Sequence, residues 1–500
     1  MPRLKNQLLL SFFASTFIGI AALGLGWLPP LFNTEVNDIL NFLRSNSSGI
    51  FLARVCLLIG AGMLLQNWLA LGRIVLTNGQ YSIAKLLPFS ALPAAILFLT
   101  PPLFSRDVYS YMAQARLNLR GLSPYEYGVG WLPGWFQLGA DPLWVDTPTP
   151  YGPAAIWLSS QIELITNNSP YNALLWHRSL ALIGVGIGIW ATTRIFETNP
   201  KFAATAVWLA WLNPLVVLHF MSAAHNDALM LGLLVAAFTF SQRNQFLRAL
   251  IVLIFAAGIK PIALLAAPFL LIGKPAKSIS QLIKPWSLGA VFVIFGLWLQ
   301  GIVTGLGMGW ITALSAPTKV RSLLSPVTAI SEIFSRPLDA LNLLNADFVI
   351  STMQIFGLIT AIGILIFLAL TPSVRTATRG AAIAFTFVVL LSPVVQPWYL
   401  LWAFALIAIA GIKRPWHLKA IVILTAIFVA YSAIEANIVL DTAITFGDYV
   451  AGGSAVLAVL VVLLASRAER ELLIGNQFNA GLVADYFAAD EIKNDQAKVQ

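Results

Sequence analysis

Long apolar runs broken by short polar punctuation dominate the chain. Stretches of about 18–22 largely apolar residues recur from residue 8 onward, each long enough as an α-helix to cross the roughly 30 Å hydrocarbon layer of a bilayer. Their spacing predicts helices over 8–28, 50–71, 83–104, 172–193, 202–220, 227–241, 247–260, 261–273, 286–305, 348–370, 380–392, 398–412, 418–436 and 450–466. The expected fold class is therefore all-α, a polytopic transmembrane bundle of about 13–14 membrane helices, because a helix satisfies its own backbone polar groups where lipid cannot. Residues 8–28 are too long for a signal-peptide core and lack a small-residue cleavage site, so they read as a retained first helix. Two connections exceed ordinary length, 105–170 and 306–347, and long connections in compact domains usually carry function. The apolar stretch 152–166 inside the first reads as an outer-side or re-entrant helix rather than a full pass. Residues 1–466 form the membrane domain on this reading, and the polar residues 467–500 a cytoplasmic tail.

Composition sharpens this picture. The chain is 58% hydrophobic and only 10% charged, against about 25% charge in a soluble domain. The net charge of +9 does not call for nucleic acid as a partner; it reflects basic loops on one side of a membrane. Fourteen passes place both termini together, and the loops on that side hold Arg3, Lys5, Arg73, Lys85, Arg194, Lys201, Arg243 and further cations, whereas the opposite loops hold Asp107, Asp141, Asp146, Asp227, Glu332 and Asp339. The positive-inside rule then predicts cytoplasmic N- and C-termini and outer acidic loops. The sole cysteine, Cys56, lies within an apolar run, so no disulfide framework exists.

Against so oily a background, four polar groupings are candidates for chemistry. The first is Ser105-Arg106-Asp107-Val108-Tyr109-Ser110-Tyr111, directly after an apolar run that ends in Pro101-Pro102. A carboxylate beside an apolar helix end has its pKa raised by desolvation and lowered by a nearby cation, a tuning that suits a general base; the plain alternative for Asp107 is a helix-end residue paired with Arg106. The second is Lys260, in Ala257-Gly258-Ile259-Lys260-Pro261 between two runs too short for comfortable spans. A lysine at a proline break within the membrane marks a site, here a contact to an anionic phosphate; the alternative is snorkelling to the interface. The third is His219 with His225-Asn226-Asp227. His225 and Asp227 are two apart, but no third or fourth ligand follows at standard spacing, so the motif does not support a divalent metal and hydrogen bonding to a sugar or phosphate competes with a plain turn. The fourth is Gln396-Pro397-Trp398-Tyr399, an uncharged hairpin that serves either sugar contact or an aromatic belt.

The order of these groupings, an aspartate in the first large outer loop, an internal Lys-Pro break and a late Gln-Pro-Trp-Tyr hairpin, resembles the integral-membrane glycosyltransferases of the GT-C superfamily. Together with Gly121-Leu122-Ser123-Pro124-Tyr125, Asp141-Pro142 and Thr149-Pro150-Tyr151-Gly152-Pro153, the Arg-Asp-Val-Tyr-Ser-Tyr stretch is similar to the actinobacterial polyprenol-phosphate-mannose-dependent α-(1→6)-mannosyltransferases, over roughly residues 50–440. The resemblance implies a polyprenyl-phosphate-mannose donor, an α-mannoside glycolipid acceptor and growth of a lipomannan or lipoarabinomannan backbone at the outer face of the plasma membrane. It implies Asp107 as the catalytic base. A lipid-linked phosphosugar also needs a cationic clamp, for which Lys260, Arg106, Arg321, Arg336 and His225 are the candidates, and Tyr109, Tyr111, Asp141, Tyr151, Asn226, Asp227, Gln396, Trp398 and Tyr399 are the candidate sugar and acceptor contacts. Arg106 stands where some relatives carry a companion acid, so the motif does not support a paired-carboxylate metal site; no cofactor is assigned, and a divalent metal stays open. A lipid-linked arabinosyltransferase of the same superfamily is an alternative. A transporter or flippase is another, although no inverted repeat is visible and the ionisable residues gather at one face rather than along a path.

Overall fold

The structure, a computed structural model, describes residues 2–29, 37–78, 82–271, 279–314, 322, 324–371, 377–412 and 415–438. Among these residues it is helical with no strand. Helices α1 (Pro2–Leu25) and α3 (Ser47–Asn78) pack along each other, with α2 (Asp38–Ser45) folded against both. Next come α4 (Ile83–Leu86), α5 (Pro88–Leu97), α6 (Asp107–Leu119), α7 (Trp135–Leu138), α8 (Pro153–Ile165), α9 (Pro170–Ile195) and α10 (Pro200–Ala210). A π-helical turn at Val216–Ser222 leads into α11 (Asp227–Gln242) and α12 (Phe246–Ile259), and a 3-10 segment at Pro261–Ala266 leads into α13 (Ala267–Leu270). The rest is α14 (Ser280–Thr304), α15 (Trp310–Ala313), α16 (Pro326–Ala340), α17 (Ala346–Leu370), α18 (Ala377–Leu391), a 3-10 turn at Pro397–Tyr399, α19 (Leu400–Ala410) and α20 (Pro415–Ile438).

The all-α membrane fold is as expected, but the described passes are not all straight spans. Six helices, α1, α3, α9, α14, α17 and α20, are long and apolar enough to cross a membrane, or seven spans if the π turn and α11, which meet at 113°, are one broken pass. Proline accounts for the differences. The expected helix 202–220 stops at Ala210 and restarts beyond Asn213-Pro214, where Pro214 has no N–H to donate and the Asn213 side chain accepts from Leu215 N instead (2.9 Å). The expected 83–104 breaks at Pro88 and ends at Leu97, and 261–273 is a 3-10 segment plus one α turn. The segment 105–170 is not a loop but a helical subdomain; its α8 has 13 residues, about 20 Å of helix, too short for a full pass. The 306–347 segment likewise carries α15 and α16. The expected helix 450–466 and the tail 467–500 lie outside the described residues.

Several starts follow one local rule. Ser169-Pro170, Asn199-Pro200 and Ser325-Pro326 each place a capping side chain before a proline at the first helical position, and each cap accepts a backbone N–H of the first turn. The centre is then packed by close crossings. Gly184 of α9 and Gly232 of α11 meet so tightly that a Cβ on Gly232 would lie 2.0 Å from Gly184 O, the small-residue contact by which membrane helices approach. Beside this crossing, Arg178 of α9 is 1% exposed. Its guanidinium donates to Phe98 O, Thr100 O and Ser222 O, each at 2.6 Å. It thereby gathers the orphan carbonyls beyond α5 and at the end of the π turn. These are the chain segments that deliver Asp107 and His225.

Candidate active site

Helix ends converge on one face of the bundle. The residues just past α1, the start of α6, the turn after α12, the end of α18, the 397–399 turn and the end of α20 surround one cavity of about 540 Å³, within the size range of small-ligand sites. One part of its wall is polar, with Arg106, Asp107, Ser110, Gln114, Asp141, Tyr151, Lys260, Gln396 and Glu435; the other is apolar, with Leu264, Leu265, Leu314, Val388 and Val389.

Asp107 is the first residue of α6, where the helix N-terminus favours a negative charge. It is 9% exposed, and its carboxyl is pushed up to about 7. Burial is the main cause, and the like charges of Asp141 and Asp227 add to it, while Lys260 and the Trp144 indole pull the other way. The Asp107 N–H, at the first position of the helix, donates to Ser105 Oγ (3.1 Å). Two non-glycine residues in the left-handed region lead into the site, Phe104 (φ 74°) and Ala224 (φ 60°); such strain persists where surrounding structure over-determines it, and gathers at functional sites.

The helical period separates wall from support. Asp107, Ser110 and Gln114 fall on one stripe of α6 and line the cavity. Tyr109 and Tyr111 fall off that stripe and do not line it, so the expected sugar contacts are corrected to supports. Tyr109 donates to Trp27 O (2.9 Å), and Tyr111 stands edge-on to Tyr151 with its hydroxyl 3.4 Å from His225 Nδ1. His225, fully buried, does not line the cavity and is behind Asp107: Nδ1 is 3.5 Å from Asp107 Oδ2, and its ring stacks on Trp398 at 3.6 Å. It therefore meets the carboxylate rather than an incoming phosphate. Asn226 and His219 also lie off the wall; His219 Nε2 is 2.9 Å from Ser432 Oγ.

Lys260 does not snorkel. It is 9% exposed, and Nζ lies 2.8 and 3.0 Å from the two carboxylate oxygens of Asp227, which is itself 0% exposed. Trp402 Nε1 donates to the same carboxylate (2.8 Å). The ammonium also faces the rings of Tyr399 and Trp402 at 4.8 and 5.0 Å, so it is boxed by aromatic faces. His225 and Asp227 do not act as a pair in this arrangement, since His225 faces Asp107 and Asp227 faces Lys260. Among the described residues no group of three or more His, Cys, Asp or Glu is placed to hold a metal.

Arg106 lies on the cavity wall, its guanidinium 3.6 Å from the Trp27 ring centroid and donating to Gly139 O and Ala140 O. Asp141, Tyr151, Gln396, Trp398 and Tyr399 also line the cavity. Arg336 does not: it is 78% exposed and 3.6 Å from Glu332. Arg321 lies outside the described residues. Sequence reasoning missed Trp27, Gln114, Trp402 and Glu435. Two of these left a signal: Trp402 follows Trp398 and Tyr399 at helical spacing, and Glu435 is a lone acid in an apolar run.

The 105–170 subdomain is fastened to the Lys260 turn by backbone. Gly152 N donates to Ile259 O (3.1 Å), and a Cβ at Gly152 would lie 2.4 Å from Gly258 O and 2.5 Å from Ala257 O. Neither carbonyl can give way as a flexible side chain would. Gly152→Ala is expected to lower stability by about 1–3 kcal/mol, the usual cost of overpacking, with a matching fall in the thermal midpoint of the detergent-solubilised protein.

The chain matches two family descriptions: "Alpha-(1->6)-mannopyranosyltransferase, N-terminal domain" over residues 8–273 and "MptB C-terminal domain" over residues 327–465. It is similar to a probable alpha-(1->6)-mannopyranosyltransferase of Mycolicibacterium smegmatis, 34% identical over 413 residues that cover 74% of this chain and 72% of the relative. It is 29% identical over 376 residues to alpha-(1->6)-mannopyranosyltransferase A of Mycobacterium tuberculosis, covering 72% of each chain. It is 27% identical over 449 residues to alpha-(1->6)-mannopyranosyltransferase B of Corynebacterium glutamicum, covering 79% of this chain and 71% of the relative. No solved structure matches. Buried acids and tryptophans around a mostly apolar cavity in a multi-pass helical bundle are thus the setting of a sugar-transfer enzyme, and the chain belongs to the alpha-(1->6)-mannopyranosyltransferase family of glycosyltransferases.

Proposed function

We propose that the chain transfers mannose from polyprenyl-phosphate-mannose to the 6-hydroxyl of an α-mannoside glycolipid, with inversion, at the outer face of the plasma membrane, and so extends a lipomannan-type backbone. The observation that carries this reading is Asp107: a carboxylate held up to about 7 in a cavity lined by both polar and apolar side chains. A lipid-linked phosphosugar has the same two-part character. As the acceptor oxygen bonds to the anomeric carbon, the bond from that carbon to the phosphate oxygen breaks, and Asp107 takes the hydroxyl proton. A β-linked mannosyl phosphate then gives an α-mannoside. Arg106 and Lys260 are the cations placed to stabilise charge growing on the departing phosphate. Lys260 does so while anchored to Asp227, which fixes its position.

Membranes holding the chain, given radiolabelled polyprenyl-phosphate-mannose and a short α-(1→6)-mannoside, are expected to return the acceptor lengthened through a new α-(1→6) bond. Absence of incorporation, or incorporation only from a nucleotide sugar, overturns the reading. The outer location is tested separately. Gln137 is exposed and the sole cysteine, Cys56, is 3% exposed, so Gln137→Cys is expected to react with a membrane-impermeant maleimide on intact cells. Reaction only after permeabilisation places the cavity on the other side.

A further inference from the structure

Glu435 has no part in the chemistry above, yet it reaches the same cavity. It lies near the end of α20, more than four helical turns beyond the polar start of an otherwise apolar helix. Tyr431, one turn earlier, donates its hydroxyl to Glu435 Oε1 (3.2 Å). An acid in such a helix is costly unless a ligand or a partner uses it, and among the described residues no cation is paired with Glu435.

Two independent features show what kind of ligand the wall lacks. Trp27 and Trp398 both line the cavity, and each has a buried indole N–H with no acceptor among the described residues. Unsatisfied buried donors are uncommon and call for a partner. Asp141 lines the wall as well, close enough for its charge to act on both Asp107 and Glu435. The wall therefore offers fixed donors on indoles and fixed acceptors on carboxylates, with flat aromatic faces between them. A sugar ring meets all three demands, because each hydroxyl both gives and accepts a hydrogen bond and its C–H face packs on an indole.

We propose that Glu435 is a binding residue for the acceptor mannoside: its carboxylate, held by Tyr431, accepts a hydrogen bond from an acceptor hydroxyl other than the one that reacts. It sets acceptor affinity, while Asp107 sets the chemical rate. This rests on the mannosyl-transfer reading, and the test keeps the two apart.

Wild type, Glu435→Gln, Glu435→Asp and Tyr431→Phe are compared as purified full-length protein. Direct binding of a short α-(1→6)-mannoside is read by saturation-transfer NMR, alongside steady-state kinetics. The expected result for Glu435→Gln is weaker mannoside binding and an acceptor KM raised about tenfold, the loss of one charge-assisted hydrogen bond, with kcat within threefold of wild type and donor KM unchanged. Tyr431→Phe is expected to shift acceptor KM in the same direction by less, and Glu435→Asp to recover part of the loss. Unchanged acceptor binding in a folded Glu435→Gln variant overturns the assignment. So does a fall in kcat or a rise in donor KM without change in acceptor KM. If wild type binds the mannoside but transfers nothing to it, the transfer reading fails and the binding assignment stands.

Discussion

Asp107→Asn is expected to be inactive and yet no less stable than the parent protein. The amide is isosteric but takes no proton, so the rate of transfer should fall by about 10² or more, the usual range for loss of a general base. Stability should move the other way. The folded carboxyl is raised from 3.8 to about 7, chiefly by burial, so the folded state holds its proton more tightly than the unfolded chain. Its contribution to folding is fully present below about 4 and is lost as pH rises through about 7. Above neutrality an ionised Asp107 therefore costs stability that asparagine does not. Thermal melts at pH 8 should show the variant equal to or above wild type, and at pH 5 the advantage should vanish. Activity of the parent should have its acidic limb near pH 7, falling about tenfold for each further unit of pH. A variant that is inactive because it is unfolded, or active at near-normal rate, sinks the assignment.

Lys260→Ala is expected to be the most destabilising single change at the cavity. It leaves Asp227, 0% exposed, with the Trp402 N–H but without an ammonium at 2.8 Å. Breaking a buried pair from one side costs about 3–5 kcal/mol, because a charge remains without compensation. The double variant Lys260→Met with Asp227→Leu removes both charges and should regain most of that loss. If Lys260 also holds the donor phosphate, the restored double variant should still use its donor about 10–100-fold less well, the range for a charge-assisted contact. Thermal midpoints together with donor kinetics separate the two roles. Lys260→Arg should recover charge but not geometry, since a guanidinium fork differs from a point charge. A stable Lys260→Ala variant would show that Asp227 does not depend on this partner.

The parts of this architecture that depend on near neighbours in sequence were readable in advance. Apolar runs such as 348–370 became α17, and the length of 152–166 distinguished α8 from a full pass. The prolines marked breaks as well, but the depth of each break was harder to read: Pro214 split the expected single helix 202–220 into α10 and a π turn. Asp107 and Lys260 stood out because lipid makes a charge conspicuous. Their surroundings did not. The Asp227 partner of Lys260 lies 33 residues away, and Trp402 reaches Asp227 across 175; periodicity within one helix says nothing about which helix faces it. Tyr109 and Tyr111 show the opposite error. They were grouped with Asp107 by adjacency, whereas the helical period placed Ser110 and Gln114 on the wall in their stead.

The backbone seam at Gly152 has an evolutionary corollary. Residues 105–170 supply Asp107 and Asp141, and the 257–261 turn supplies Lys260, two segments that look like independently exchangeable parts. With Gly152 N on Ile259 O and no room for a Cβ between them, they are one inherited module. A chimera that imports the 105–170 subdomain from a relative should function only if the graft keeps glycine at this position and brings a matching 257–261 turn. Diversification of this enzyme by swapping its surface segments is therefore confined to pieces that carry both sides of the seam.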